Sequence, residues 1–402
     1  MGYLSADDCR LADLAGLVSQ KTELADYPYA SAVEQNVLVY DGPRLGQALS
    51  ADAQRAEAEL ARALADGPGV VVIAEAFGDL CAVDRATREF EEIITAQRAA
   101  GGPAGDHFAQ AGQNDRIWNA LEKLARRAPE VFAAYYANEI LAAACRAWLG
   151  PGYQVTSQVN VVNPGGAAQV VHRDYHLGFL PEELAARFPA HAHRLSPVLT
   201  LQGAVAHTDM PAETGPTMYL PHSQKYLPGY LAYWRPEFRD YFEEHHIQLP
   251  LRQGDAAFFN PALFHAAGAN RTADVHRMAN LLQVSSAFGR AMEAVDRSRM
   301  CAAVFPALLG MADAGAAGPA IANVIAACAE GYAFPTNLDL DQPVGGLAPP
   351  AQAEILARAV AERWPQARLE AELGTWSARR LTQAAPGWPA PDPVAAAVRA
   401  AS

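Results

Sequence analysis

Residues Gln169-Val170-Val171-His172-Arg173-Asp174 hold the clearest chemistry in the chain: a histidine and a carboxylate separated by one residue, after a short apolar run. In a strand, residues i and i+2 point to the same face, so His172 and Asp174 would enter one space together. An imidazole nitrogen and a carboxylate oxygen are two thirds of the 2-His-1-carboxylate face that holds non-haem Fe(II) and leaves other positions open. The third ligand should lie far along the chain on another strand of the same fold. His265 fits, because it follows the turn Gly254-Asp255 and the apolar run Ala256–Phe259. Beyond it, Arg277 shares a strand face with Ala279 and Leu281 and would point inward. A lone inward cation needs an anionic partner, and a guanidinium fork holds carboxylates bidentately. Three open iron positions accommodate a chelating 2-oxo acid and O2. The pattern therefore asks for 2-oxoglutarate, with its far carboxylate on Arg277. Arg271 competes for that role but falls in the turn Gly268–Thr272, where solvation is expected.

These residues need elements to position them. The strand Tyr153–Val162 alternates, with Gln154, Thr156, Gln158 and Asn160 on one face and Val155, Val159 and Val161 on the other. After the turn Asn163-Pro164-Gly165-Gly166 come the metal-site strand, a short helix near Glu182–Phe188 and a strand over Val198–His207. Met218–Leu220, Ile247–Leu251, Ala256–Asn260 and Val275–Ser285 read as further strands. Upstream, Val70–Ala74 reads as a buried strand after a helix over Ala51–Ala65. Asp84–Arg98, Ile117–Arg127 and Pro129–Leu149 read as helices, with a break at Ala99–Pro103. Downstream, Ala317–Gly331 and Ala351–Trp364 have helical spacing, separated by the loop Phe334–Pro350, and an Ala/Pro-rich tail ends the chain. Many short strands flanked by helices predict an α+β protein with a mainly β core, a jelly roll with helical packing. Its divisions are a helical N-terminal extension over 1–66, the core with its packed helices over 67–300, and a helical C-terminal extension over 301–402.

Here the residues reach a known family. His172-Arg173-Asp174, the segment Thr214–Lys225 with its turn Pro221-His222-Ser223-Gln224, and the run from His265 to Arg277 together resemble the phytanoyl-CoA dioxygenase family over roughly Gly69 to Arg290. The resemblance implies a double-stranded β-helix of the cupin-like kind and an Fe(II)/2-oxoglutarate-dependent dioxygenase. It implies His172, Asp174 and His265 as iron ligands and Arg277 as the clamp on 2-oxoglutarate. The reaction it implies is oxidation of a C–H bond of a small organic molecule by O2, hydroxylation in the simplest case, with release of succinate and CO2. The retained Asp174 favours hydroxylation, since related halogenases carry Gly or Ala there. Two departures stand out: the family often has Pro-Gly-Ser-His at the turn, and some members have a hydroxyl residue where this chain has Ala267. Co-substrate contacts would then come from elsewhere, and Gln158 and Asn160 are the candidates. Tyr175 and His176 follow the metal segment and would face the substrate or pack the mouth of the roll.

Bulk properties narrow the partners. A net charge of −13 without a long basic cluster argues against nucleic acid and anionic membrane and favours a small-molecule substrate. Five scattered cysteines with no CxxC pair read as reduced thiols, which suggests a cytoplasmic protein. The apolar runs are too short to span a bilayer. The helical additions would either cover the roll or pair two chains as a homodimer. His172-Arg173-Asp174 also mimics a kinase catalytic loop, but Phe179 stands where that loop needs Asn. His191-Ala192-His193 and His245-His246 read as surface features. Two rival readings remain: a jelly-roll sensor or structural protein that binds metal without oxygenase activity, and a cupin-like enzyme that uses metal without 2-oxoglutarate.

Overall fold

A computed structural model describes residues 2–101 and 112–381; the tail after 381 and part of the expected Ala99–Pro103 break lie outside the described residues. Its strands are β1 (Ala32–Glu34), β2 (Val37–Asp41), β3 (Val70–Ala74), β4 (Asn114–Ile117), β5 (Gln154–Val162), β6 (Thr200–Ala206), β7 (Met218–Leu220), β8 (Ile247–Gln248), β9 (Ala256–Phe259), β10 (Phe264–Ala266) and β11 (Arg277–Ser285). Eight form one sheet in the order β1-β2-β3-β9-β6-β11-β5-β4, and three form a second in the order β10-β7-β8. All pairings are antiparallel except β2 with β3. The two sheets enclose the cavity that holds the metal motif, the mainly β core with flanking helices that the strand pattern implied.

Strand alternation decides which side chains meet the cavity. Gln158 and Asn160 on β5, Ala279, Leu281 and Gln283 on β11, and Gln202 and Ala204 on β6 face inward. Val155, Val159, Val161, Leu201, Val205 and Val284 face the opposite way, into the helix-covered core. That core is continuous from Leu60 and Phe90 through Tyr135 and Leu149 to Val304, Leu356 and Leu373, so N-terminal and C-terminal helices share it. Each fully buried aliphatic side chain there contributes about 2 kcal/mol. The smaller sheet is covered on its outer side by Leu14, Phe238 and Phe242 against Phe264 and Val171.

Several elements differ from the sequence reading. Residues 1–66 contribute β1 and β2 to the large sheet as well as helices. The metal-site segment is not a strand: His172 makes a single bridge with His265, through His172 N to His265 O at 3.0 Å and His265 N to His172 O at 3.2 Å. The bridge suffices, because it still sets His172 inward and Val171 outward. The helix expected over Pro129–Leu149 is two, Pro129–Tyr136 and Glu139–Leu149, and Asn138 caps the second by accepting from Leu141 N at 3.1 Å. Ile117 ends β4 and the helix begins only at Ala120. Helices over Arg297–Asp313 and Gln366–Arg379 complete the C-terminal packing. His193, read as a surface residue, is buried and shares a hydrogen bond with Ala185 O at 3.1 Å. Among the described residues no helix is long and apolar enough to cross a membrane.

Candidate active site

His172, Asp174 and His265 converge at one end of the cavity, and one ligand atom from each lies within 4.8 Å of the others. His172 Nε2 is 3.7 Å from Asp174 Oδ1, and His265 Nε2 is 3.5 Å from Asp174 Oδ2. Each imidazole is oriented from behind. Nδ1 of His172 meets Val170 O at 2.8 Å and Nδ1 of His265 meets Leu263 O at 2.9 Å. A carbonyl accepts only, so both Nδ1 atoms carry the proton and both Nε2 lone pairs face the shared space. The His265 ring is also wedged between the His172 and Phe259 rings, at centroid separations of 4.5 and 4.7 Å.

Electrostatics agree with a cation site. Burial pushes the His172 pKa down, against the pull of Asp174, which favours the neutral ligand form. Burial alone would raise the Asp174 pKa, but His172, His265 and a hydrogen bond from Gln202 Nε2 outweigh it and hold the carboxyl well below its usual range. One carboxylate and two imidazoles are the donor set that suits ferrous iron.

Arg277 lies in the same cavity, 7% exposed. Its Nη1 donates to Thr214 O at 3.1 Å and Gly268 O at 3.4 Å, and among the described residues no carboxylate pairs with it. Burial lowers its pKa to about 10, so it remains a cation at neutral pH. A buried cation held only by carbonyls, opposite three converging metal donors, fits the far carboxylate of a chelating 2-oxo diacid. Arg271, the rival clamp, is exposed.

The remaining expected residues fall into two groups. Gln158 and Asn160 line the cavity. Gln158 is already engaged, accepting from Arg116 Nη1 at 3.1 Å and donating to Gln283 Oε1 at 3.0 Å, whereas Asn160 Oδ1 is buried without a partner. Tyr175 and His176 are not among the cavity walls. Both adopt positive φ, 62° and 43°, and this turn carries the chain away from the metal. Tyr175 is buried, and His176 Nδ1 meets Ser196 Oγ at 3.2 Å.

The sequence reading missed Gln202, Gln283, Arg116, Phe179 and Met292, which all line the cavity. Gln202 was legible in part as a polar residue inside the apolar strand Val198–His207. Arg173 does point away from the metal, but not to solvent. It is 1% exposed, donates from Nη2 to Ser223 O at 2.7 Å and Tyr226 O at 2.9 Å, and lies over the rings of Tyr230 and Phe264. It ties the metal segment to the Pro221–Gln224 turn.

Residues 65–279, just over half of the chain, match the sequence profile of the phytanoyl-CoA dioxygenase (PhyH) family. The chain belongs to that family. As a PhyH protein it is an oxygenase of the Fe(II)- and 2-oxoglutarate-dependent class, and the donor set and the buried Arg277 fit both groups. Similar solved structures include the non-heme alpha ketoglutarate dependent epimerase SnoN from nogalamycin biosynthesis, 20% identical with a TM-score of 0.40 over 58% of this chain and 82% of that one. The carbocyclase SnoK from the same biosynthesis is 23% identical, with a TM-score of 0.40 over 57% and 83% of the two chains. HygX from Streptomyces hygroscopicus, with nickel and 2-oxoglutarate bound, is 17% identical, with a TM-score of 0.38 over 57% and 88%. No curated protein sequence matches the chain.

Proposed function

We propose that this PhyH protein hydroxylates a C–H bond of a small organic molecule, with His172, Asp174 and His265 as iron ligands and Arg277 as the clamp on 2-oxoglutarate. The observation that carries the reading is one cavity with three converging metal donors and a buried cation that no acid among the described residues neutralises. Ferrous iron with 2-oxoglutarate, when bound, supplies O2 activation paid in the co-substrate's decarboxylation to succinate and CO2.

The chain's own residues do the rest. Val170 O and Leu263 O keep the imidazole protons on Nδ1, so both Nε2 atoms stay available as ligands. Asp174, kept ionised, fills the position that a halide would need, which favours oxygen transfer over halogenation. Arg277 fixes one end of the co-substrate, and Asn160, whose Oδ1 lacks a partner, flanks it across the β5–β11 pair opposite Ala279. The substrate enters past Phe179 and Met292, the former 51% exposed. Tyr175 and His176 act on substrate only through the shape of this mouth.

The test is aerobic incubation of the Fe(II)-loaded protein with 2-oxoglutarate and a panel of small organic molecules. The expected result is succinate formed in step with a product heavier by one oxygen atom, labelled when 18O2 is used. A product of unchanged mass, or one lighter by two hydrogens, would replace hydroxylation with epimerisation or with ring closure or desaturation. Equal succinate formation by His172→Ala would overturn the metal assignment.

A further inference from the structure

The cavity wall between Arg116 and the metal motif is a row of amides whose orientation is dictated by its two ends. Arg116 can only donate, and it donates from Nη1 to Gln158 Oε1 at 3.1 Å. The NH2 group of Gln158 is thereby turned to the next strand, where it donates to Gln283 Oε1 at 3.0 Å. Gln283 must then turn its own NH2 onward, and among the described residues that group has no acceptor. At the other end stands Asp174. It takes the N–H of Gln202, which leaves Gln202 Oε1 buried and without a donor.

Gln283 and Gln202 are direct cross-strand partners in the β11–β6 register, and both line the cavity. Side chains so placed have Cβ atoms about 5 Å apart. Gln202 Oε1 is buried without a partner, the NH2 of Gln283 across from it has no acceptor among the described residues, and no direct bond joins the two. Buried polar groups rarely stay unpaired. The group that completes the row must accept from Gln283 and donate to Gln202. A carboxylate or ketone cannot donate, and an ammonium cannot accept. A hydroxyl does both.

We propose that Gln202 and Gln283 form a hydroxyl-binding subsite beside the iron ligand Asp174, taking one O–H group that accepts from Gln283 and donates to Gln202. The inference rests on the reading of Asp174 as an iron ligand. Its source is either water or an alcohol group of the substrate, and the chemistry is the same. Gln202 is then a positioning residue: filled, the subsite holds its amide at both ends, and the amide holds the carboxylate.

The test has a crystallographic and a solution part. In crystals of the Mn(II)- and 2-oxoglutarate-loaded protein, one oxygen-sized peak should lie within hydrogen-bond distance of both Gln283 Nε2 and Gln202 Oε1. With myo-inositol added as a polyol probe, replacement of that peak by a sugar-alcohol hydroxyl would assign the site to substrate, and its persistence would assign it to water. In solution, Mn(II) is titrated into metal-free wild type, Gln202→Leu, Gln283→Leu and the double variant. Gln202→Leu should weaken Mn(II) binding by about 10–100-fold, the usual range for a group that orients a ligand. Gln283→Leu should give a smaller loss, and the double variant should bind no worse than Gln202→Leu alone. Thr200→Val, on the same strand, should leave affinity unchanged and reports on general disturbance of β6. An empty gap, a direct Gln283–Gln202 bond, or fully additive losses would overturn the subsite. If wild type fails to bind Mn(II), or His172→Ala binds it equally well, the iron reading itself fails, and crystals of the metal-free protein still show whether an oxygen lies between the two amides.

Discussion

Replacing Arg277 with Leu tests the co-substrate assignment most severely. Arg277 is 7% exposed, and among the described residues its hydrogen bonds run only to the carbonyls of Thr214 and Gly268. A bound carboxylate would be its charge partner. Removing one member of a buried charge pair costs roughly 3–5 kcal/mol, and we take the lower end because the cavity opens to solvent. At about 1.4 kcal/mol per tenfold, 3 kcal/mol is about a 100-fold loss of 2-oxoglutarate affinity. The assay is anaerobic titration of the Fe(II)-loaded protein, followed by the visible metal-to-ligand band. 2-Oxobutyrate, which lacks the far carboxylate, is the internal control: wild type should prefer 2-oxoglutarate over it by a similar factor, and Arg277→Leu should not distinguish them. Leaving two carbonyls unpaired also costs stability, about 1–3 kcal/mol each, so a melt and a Mn(II) titration must show that the variant is folded. A folded variant that binds 2-oxoglutarate as tightly as wild type would refute the reasoning.

Other expectations follow from the packing and the titration. A Cβ on Gly229 would overlap the Arg173 guanidinium, so Gly229→Ala should destabilise by roughly 1–3 kcal/mol in a urea titration, or displace Arg173 from its carbonyls. Burial pushes the His207 pKa down to about 3, so it is neutral when folded and takes a proton when unfolded below its ordinary 6.5. Its contribution is complete above pH 6.5 and is lost as pH falls towards 3. Between pH 7 and 5 the loss is about 2 kcal/mol, and the non-titrating His207→Gln should flatten the pH dependence of the urea midpoint by that amount. Mn(II) at about 100 times its Kd should add about 2.7 kcal/mol of stability, read as a higher melting temperature, and His265→Ala should abolish the shift.

The sequence carried the site further than it carried the fold. His172 and Asp174 are two residues apart, and local parity alone puts them on one side. Arg277 was readable for the same reason, through Ala279 and Leu281, and the inward face of β5 was readable from its alternation. Gln202 was not readable as a partner of Asp174, because only the order of strands brings β6 beneath the metal segment. The same parity turns Arg173 away from the metal but does not say into what. Its pocket of Tyr230, Phe264 and two carbonyls comes from distant segments. Whether Tyr175 and His176 face the substrate or pack the mouth was not legible for a backbone reason: two successive non-glycine residues at positive φ break any alternation beyond Asp174. Strands β1 and β2 were lost because strands of three and five residues leave little periodicity to read.

The central claim is that His172, Asp174 and His265 hold ferrous iron with 2-oxoglutarate chelated beside them. Anaerobic addition of Fe(II) and 2-oxoglutarate to the metal-free protein tests it directly. The account predicts a weak visible charge-transfer band in wild type that disappears in His172→Ala. Iron-loaded wild type with no such band, or a His172→Ala variant that keeps it, would contradict the account.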